Sequence, residues 1–247
     1  MKRSVFIFCL LFSIYINVNG QKAIAHNNLV WFGDFAKGKL NDKWSIYFDF
    51  GFRRTHWLNK WSQILVRPGI TYNLNSNVSA TVGVAYFSHY TPTYIRPEYR
   101  GWQQLLFSET FGRVKVNHRL RAEQRFIQKA AANVLIEDYS YNNRFRYQLS
   151  LQFALNRKLI ESKTLYLAIS DEVFINSGKE IVNNYFDQNR LAIGVGFNLN
   201  ERLNILVSYM NVFVQKPKVD SFESNNVLVL NLYHNFDLKR KNNKNNN

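Results

Sequence analysis

The chain has 247 residues, 16% of them aromatic (Phe 20, Tyr 14, Trp 5), and a formal net charge of +15. Its single cysteine, Cys9, lies in an apolar N-terminal stretch, so the rest of the chain supports neither a disulfide framework nor a cysteine metal site. In a cytosolic protein this basic, aromatic composition would point to nucleic acid, but an export signal at the start of the chain removes that partner.

Residues 1–20 read as a secretory signal peptide. Lys2 and Arg3 form the basic start, Ser4 to Ile16 the apolar core, and Val18 and Gly20 suit the small positions before a cut ahead of Gln21. About thirteen apolar residues are too few for a spanning helix, which needs ~20. After the cut, side chains alternate with a period of two, the signature of strands with two unlike faces. A weaker strand covers 29–36 and ends at Gly38 and Asn41-Asp42. Trp44, Ile46, Phe48, Phe50 and Phe52 then alternate with Ser45, Tyr47, Asp49, Gly51 and Arg53. A loop at 54–61 precedes Ile64, Val66, Ile70 and Tyr72, which oppose Gln63, Arg67 and Thr71. Pro68 with Gly69 predicts a bulge there.

Beyond a turn at 75–77, Val78, Ala80, Val82, Val84 and Tyr86 alternate with Ser79, Thr81, Gly83 and Ala85. A loop with Pro92 and Pro97 is expected at 91–101, then a poorly alternating strand at 102–114 and a turn near Asn117. Arg119, Arg121, Glu123 and Arg125 share one face of the next strand. After a loop at 129–139, Phe145, Tyr147, Leu149, Leu151 and Phe153 alternate with Arg144, Arg146, Gln148, Ser150 and Gln152. Three more strands are read at 164–175, 190–198 and 203–213, and a last one at 228–237. Glu172 and Arg190 fall on polar faces. Asp171 falls on an apolar face and is a misfit unless the register shifts. The Lys, Arg and Asn residues of 239–247 read as a disordered basic tail.

The apolar rows on one face and guanidinium groups on the other predict an all-β fold: a transmembrane, antiparallel up-and-down β-barrel of about 10–12 strands over residues 21–238. Strands of this length suit the ~9–11 residues needed to cross a bilayer at a tilt. Mean hydropathy is −0.30, as expected when lumen residues dilute lipid-facing ones. Eleven strands are counted. An even number is usual, so 29–36 is either an extra strand or has an unseen partner. The expected connections alternate between short and long, as periplasmic turns and outer loops do.

A charge at the lipid midplane costs ~2–4 kcal/mol for Arg or Lys, so the charged rows belong inside. The expected lumen set is Arg53, Arg67, Arg119, Arg121, Glu123, Arg125, Arg144, Arg146, Glu172 and Arg190, with Asp49. Two functions fit it: a narrow channel or ligand-binding conduit favouring small anions, or a plugged accessory barrel that meets a protein partner through its outer loops. A lipid-modifying enzyme is a third reading, resting on Ser88-His89. Adjacent strand residues point to opposite faces, which argues against nucleophile–base contact. His118 is placed in a turn and His234 on the apolar face. No cofactor, metal or catalytic residue is assigned. The expected surroundings are outer-membrane lipid and lipopolysaccharide.

Several stretches resemble a known family. Trp102-Gln103-Gln104, the Arg119–Arg125 run, Arg144-Phe145-Arg146-Tyr147, Glu172-Val173-Phe174-Ile175-Asn176 and Asn189-Arg190 are similar to domain of unknown function 2490. Its members are exported proteins common in Bacteroidetes. The resemblance spans about residues 28–237 and implies an outer-membrane barrel. The family has no established activity and so implies no catalytic residue.

Overall fold

The computed structural model describes residues 22–238. The signal-peptide reading of 1–20 and the tail reading of 239–247 lie outside these residues. Within them the chain forms eleven strands closed into one barrel. They are β1 (Ala23–Lys39), β2 (Trp44–Thr55), β3 (Lys60–Asn73), β4 (Val78–Tyr90), β5 (Ile95–Phe111), β6 (Val114–Ala131), β7 (Val134–Ala154), β8 (Thr164–Ser177), β9 (Phe186–Asn198), β10 (Leu203–Gln215) and β11 (Ser221–Asp237).

Each strand is antiparallel to its sequence neighbour, and the seam is the exception: β1 runs parallel to β11, from Ala23↔Ser221 to Lys39↔Asp237. β1 is therefore a full member of the wall, longer than the 29–36 segment expected, and it has no missing partner. Closing the ring this way leaves no unpaired edge among the described strands. It also gives β1 an inward face, with Trp31 directly opposite Arg53 of β2.

One rim, here the lower, holds the connections at 40–43, 74–77, 112–113, 155–163 and 199–202; the upper rim holds 56–59, 91–94, 132–133, 178–185 and 216–220. Three lower turns use one device. The side-chain oxygens of Asn41, Asn75 and Asn200 each accept from two backbone N–H groups ahead of them, a local bond that bends the chain without a glycine. The loops expected at 91–101 and 129–139 are mostly strand. The β6–β7 hairpin turns on Ala132 and Asn133 alone, both at positive φ (49° and 64°), as tight hairpins require. The turn expected near Asn117 lies at 112–113, so Asn117 and His118 sit inside β6. The expected contrast between short and long connections thus gives way to rims of similar connection length, and the surplus residues lengthen β5, β6 and β7.

The predicted bulge at Pro68 is absent. Pro68 pairs in register with Phe48, and the β3–β4 ladder merely omits Arg67 and Pro68. Gly69 and Gly83 serve close approach instead: a Cβ on Gly83 would stand 2.2 Å from the Pro68 carbonyl and 2.8 Å from the Trp102 ring. No register shift relieves Asp171 either. The β7–β8 register is unbroken there and the β8–β9 shift comes only after Phe174, so Asp171 faces outward and accepts from Asn189 at 2.5 Å.

The outer surface carries the apolar rows, exposed at Ile70, Val82, Phe145, Leu191, Ile193 and Leu228 among others. Aromatic pairs gather near both rims, Trp44–Tyr72 below and Tyr86–Tyr99, Phe126–Tyr141 and Trp61–Tyr90 above. Such belts suit the two interfaces of a bilayer.

Candidate functional site

The inward rows converge on a layer of ion pairs across the barrel. Glu123 of β6 is its hub. Arg144 donates from Nε and Nη2 to Glu123 Oε2 (3.0 and 2.6 Å), Arg100 Nη1 reaches the same oxygen at 3.2 Å, and Arg146 Nη1 donates to Oε1 at 2.6 Å. Glu98 of β5 receives a two-pronged bond from Arg100 (2.7 and 2.9 Å), one from Arg125 Nε (2.6 Å) and one from His89 Nε2 (2.7 Å). Glu172 of β8 joins Arg119 and Arg146, Asp187 takes Arg144 Nη1 at 3.0 Å, and Asp49 takes Arg67 at 2.9 Å. Guanidinium forks matched to carboxylates in this way are short and directional. Glu98 and Glu123 are 0% and 1% exposed, and each carboxylate meets several donors, as a buried charge must.

Aromatic rings fill the gaps between these pairs. The Arg100 guanidinium lies 3.5 Å from the centre of Phe87, Arg121 lies 4.8 Å from Trp102, and Arg146 4.4 Å from Phe174. Trp102 and Phe174 are 1% and 0% exposed. Guanidinium planes stack on such rings and tolerate burial better than ammonium groups do. The result is a packed charged and aromatic layer, a septum, in which Glu98, Arg100, Glu123, Arg144 and Arg146 are all buried.

Against the septum lies a cavity of about 910 Å³ that extends toward the lower rim, where residues 160–162 of the β7–β8 connection border it. Its wall contains Arg53, Arg119, Arg190, Trp31 and Tyr233. Glu98, Arg100, Glu123 and Arg144 are absent from that lining and sit above it. Arg53 and Arg190 differ from the other arginines of the set: among the described residues neither forms an ion pair with a carboxylate. Both instead lie over Trp31, at 3.9 and 4.9 Å from its ring centre, and Arg190 also over Phe174 at 4.5 Å.

All eleven residues expected in the lumen face inward, and most join one network. Sequence reasoning misses Glu98 and Arg100 because Pro97 and the expected loop mask the inward row Glu98-Arg100-Trp102-Gln104, misses Asp187 because β9 begins at Phe186, ahead of the strand expected from 190, and reads His89 only beside Ser88. Pro97 sits on the outward face of β5, opposite Ser88, and leaves that alternation intact. His89 points inward to Gln63 and Glu98, whereas Ser88 points outward. His118 is also outward, bonded to Tyr147 Oη at 2.8 Å rather than placed in a turn. His234 lies outward as read and pairs with Asp34 at 3.0 Å. Trp31 had no visible role because β1 was read as an extra strand.

The family described as "Protein of unknown function (DUF2490)" matches residues 28–223. No curated protein matches the chain. Among solved structures, a NanC porin in a rhombohedral crystal form is similar, with a TM-score of 0.46 and 11% identity over 74% of this chain and 80% of that one.

Proposed function

The chain belongs to the DUF2490 family, which describes no activity, and from that starting point we propose that it is an outer-membrane barrel serving as a septum-gated conduit that takes small anions into its lower lumen. Residues 1–20 direct export and are removed, and the barrel sits among outer-membrane lipid and lipopolysaccharide. The aromatic belts and the exposed apolar rows support this placement. The reading makes the protein a conduit and not an enzyme. The observation that carries it is the pairing of a closed charged layer with a cavity on one side of it whose wall holds arginines in excess of carboxylates. A lumen of this sign raises local anion concentration and repels cations.

Planar-bilayer recording of the refolded barrel tests it. The wild-type barrel is expected to stay closed for long periods. Exchanging Glu123 and Arg144 together for alanine is expected to open a steady conductance that prefers chloride to potassium. Steady ohmic current in the wild type, or preference for potassium in the opened variant, overturns the reading.

A second reading has its own support. β6 and β7 are the longest strands, with 18 and 21 residues, well beyond the ~9–11 needed to cross, and their hairpin projects from the upper rim. Lys129 braces it to Asp138 at 3.0 Å and to the 178–185 connection through Glu180 at 3.1 Å. Those two hydrogen bonds raise the Lys129 ammonium above its ordinary pKa, and the Lys129 bond lowers that of Asp138. A plugged barrel that docks a protein through this hairpin would lose its partner when residues 129–137 are replaced by a short turn; unchanged co-purification would remove that version.

A further inference from the structure

We propose that Arg53, Arg190 and Trp31 form a binding site for a small oxyanion, a carboxylate or a phosphate, at the top of the lower cavity. The inference rests on reading that cavity as an anion compartment and gives it an address and a ligand class.

Three observations lead there. The first is charge. Arg190 stands opposite Glu172 in the β8–β9 register, yet Glu172 bonds to Arg119 and Arg146 instead, and Arg53 lies against the Trp31 ring without an ion-pair partner. The second is hydrogen bonding. The Trp31 indole N–H, Arg190 Nε and Arg119 Nε are all buried with no acceptor. Each of these atoms can only donate, and a buried donor left unmade costs about 1–3 kcal/mol. An acceptor-only ligand drawn in between Arg53 and Arg190 would supply what the Trp31 and Arg190 donors lack. The third is space: the three side chains border the cavity of about 910 Å³, within the ~300–1,000 Å³ typical of small-ligand pockets.

The chemistry narrows the class. A guanidinium fork matches the paired oxygens of a carboxylate or phosphate, whereas a halide offers it one centre. Two forks held over one indole present donors from two strands, β2 and β9, to a single group. Trp31 holds both guanidiniums against its ring and carries a donor of its own. The parallel seam makes this possible, because it places β1 between β2 and β11 with Trp31 facing inward. A cation or a neutral sugar would leave the same donors unanswered.

The test is calorimetry on the full barrel refolded in micelles, titrated separately with inorganic phosphate and with succinate, at ionic strength held constant by chloride. At least one of the two is expected to bind; phosphate alone points to a phosphorylated ligand, succinate alone to a carboxylate. Arg53→Met and Arg190→Met are each expected to weaken binding by about tenfold or more, the loss of one charged fork. Arg190→Lys keeps the charge but not the fork and should fall between. Trp31→Phe should abolish the fluorescence change on binding. Heat-modifiable electrophoretic migration confirms that each variant has folded. No binding of either probe by the wild type, or affinities unchanged within about twofold in both methionine variants, overturns the site. That failure is separable from failure of the conduit reading, since the opened Glu123/Arg144 variant would still conduct anions selectively.

Discussion

Two groups of lumen arginines, those inside the septum and those facing the cavity, use the same side chain under opposite conditions. In the septum, Arg100, Arg125, Arg144 and Arg146 are each satisfied by a carboxylate. Where the lumen faces the cavity, Arg53 and Arg190 have an indole in place of a carboxylate. Removing water from a charge costs several kcal/mol per ion, and only a well-placed partner returns it. The septum meets that condition internally, so it can stabilise the closed barrel. The pair facing the cavity does not, and its cost is held in the resting protein until something else supplies oxygen atoms. The difference separates a structural use of arginine from a receptive one.

The largest expected effect breaks the septum at its hub. Glu123→Gln withdraws the charge that faces Arg100, Arg144 and Arg146, leaving three buried guanidiniums with fewer acceptors. Breaking a buried pair by removing one partner typically costs about 3–5 kcal/mol, and urea unfolding followed by tryptophan fluorescence should show a loss of that size. A loss under about 1 kcal/mol, the range of exposed pairs, would mean that water reaches the layer and that no septum exists.

The opposite sign is expected from the arginines that face the cavity. Replacing Arg190 by methionine removes an unpaired charge and fills part of its volume with an apolar chain. Such replacements of buried charges are neutral or stabilising by about 1–4 kcal/mol, so the ligand-free barrel should unfold at equal or higher urea concentration. A destabilisation as large as that of Glu123→Gln would show that Arg190 is a structural member of the network. The contrast between the two groups would then dissolve.

This contrast also explains what could be read before the structure. The period of two was strong enough to place all eleven lumen residues, because one register choice settles the face of a whole strand. Only Arg144 and Arg146 could be tied to Glu123 by strand order, since β6 and β7 are consecutive. Arg119 reaches Glu172 past the intervening β7, a reach that alternation does not measure, and the meeting of Arg190 with Trp31 depends on ring closure, about which alternation carries no information. The parallel seam was invisible for that reason: β1 alternates weakly, and nothing in its residues names β11 as a neighbour. Proline was the other source of error. Pro97 suggests a loop and Pro68 a bulge, yet both lie in strands, and the inward rows continue past them.

The smallest expected effect comes from the outer wall and serves as a control for both groups. Asp171 is a carboxylate among apolar neighbours, opposite Leu149 and Leu191, with an amide for a partner instead of a guanidinium. On a lipid-facing strand an acidic side chain costs less than the ~2–4 kcal/mol of a basic one. Asp171→Leu should therefore stabilise the barrel in lipid vesicles by about 1 kcal/mol, net of the Asn189 bond it forfeits. In detergent, where water reaches the wall more freely, the gain should shrink. Stabilisation in vesicles would show that unpaired charge is costly on either side of the wall. Loss of stability in lipid would instead mean that Asp171 faces a polar partner there, and the outer surface of β8 and β9 could no longer be counted as lipid-facing.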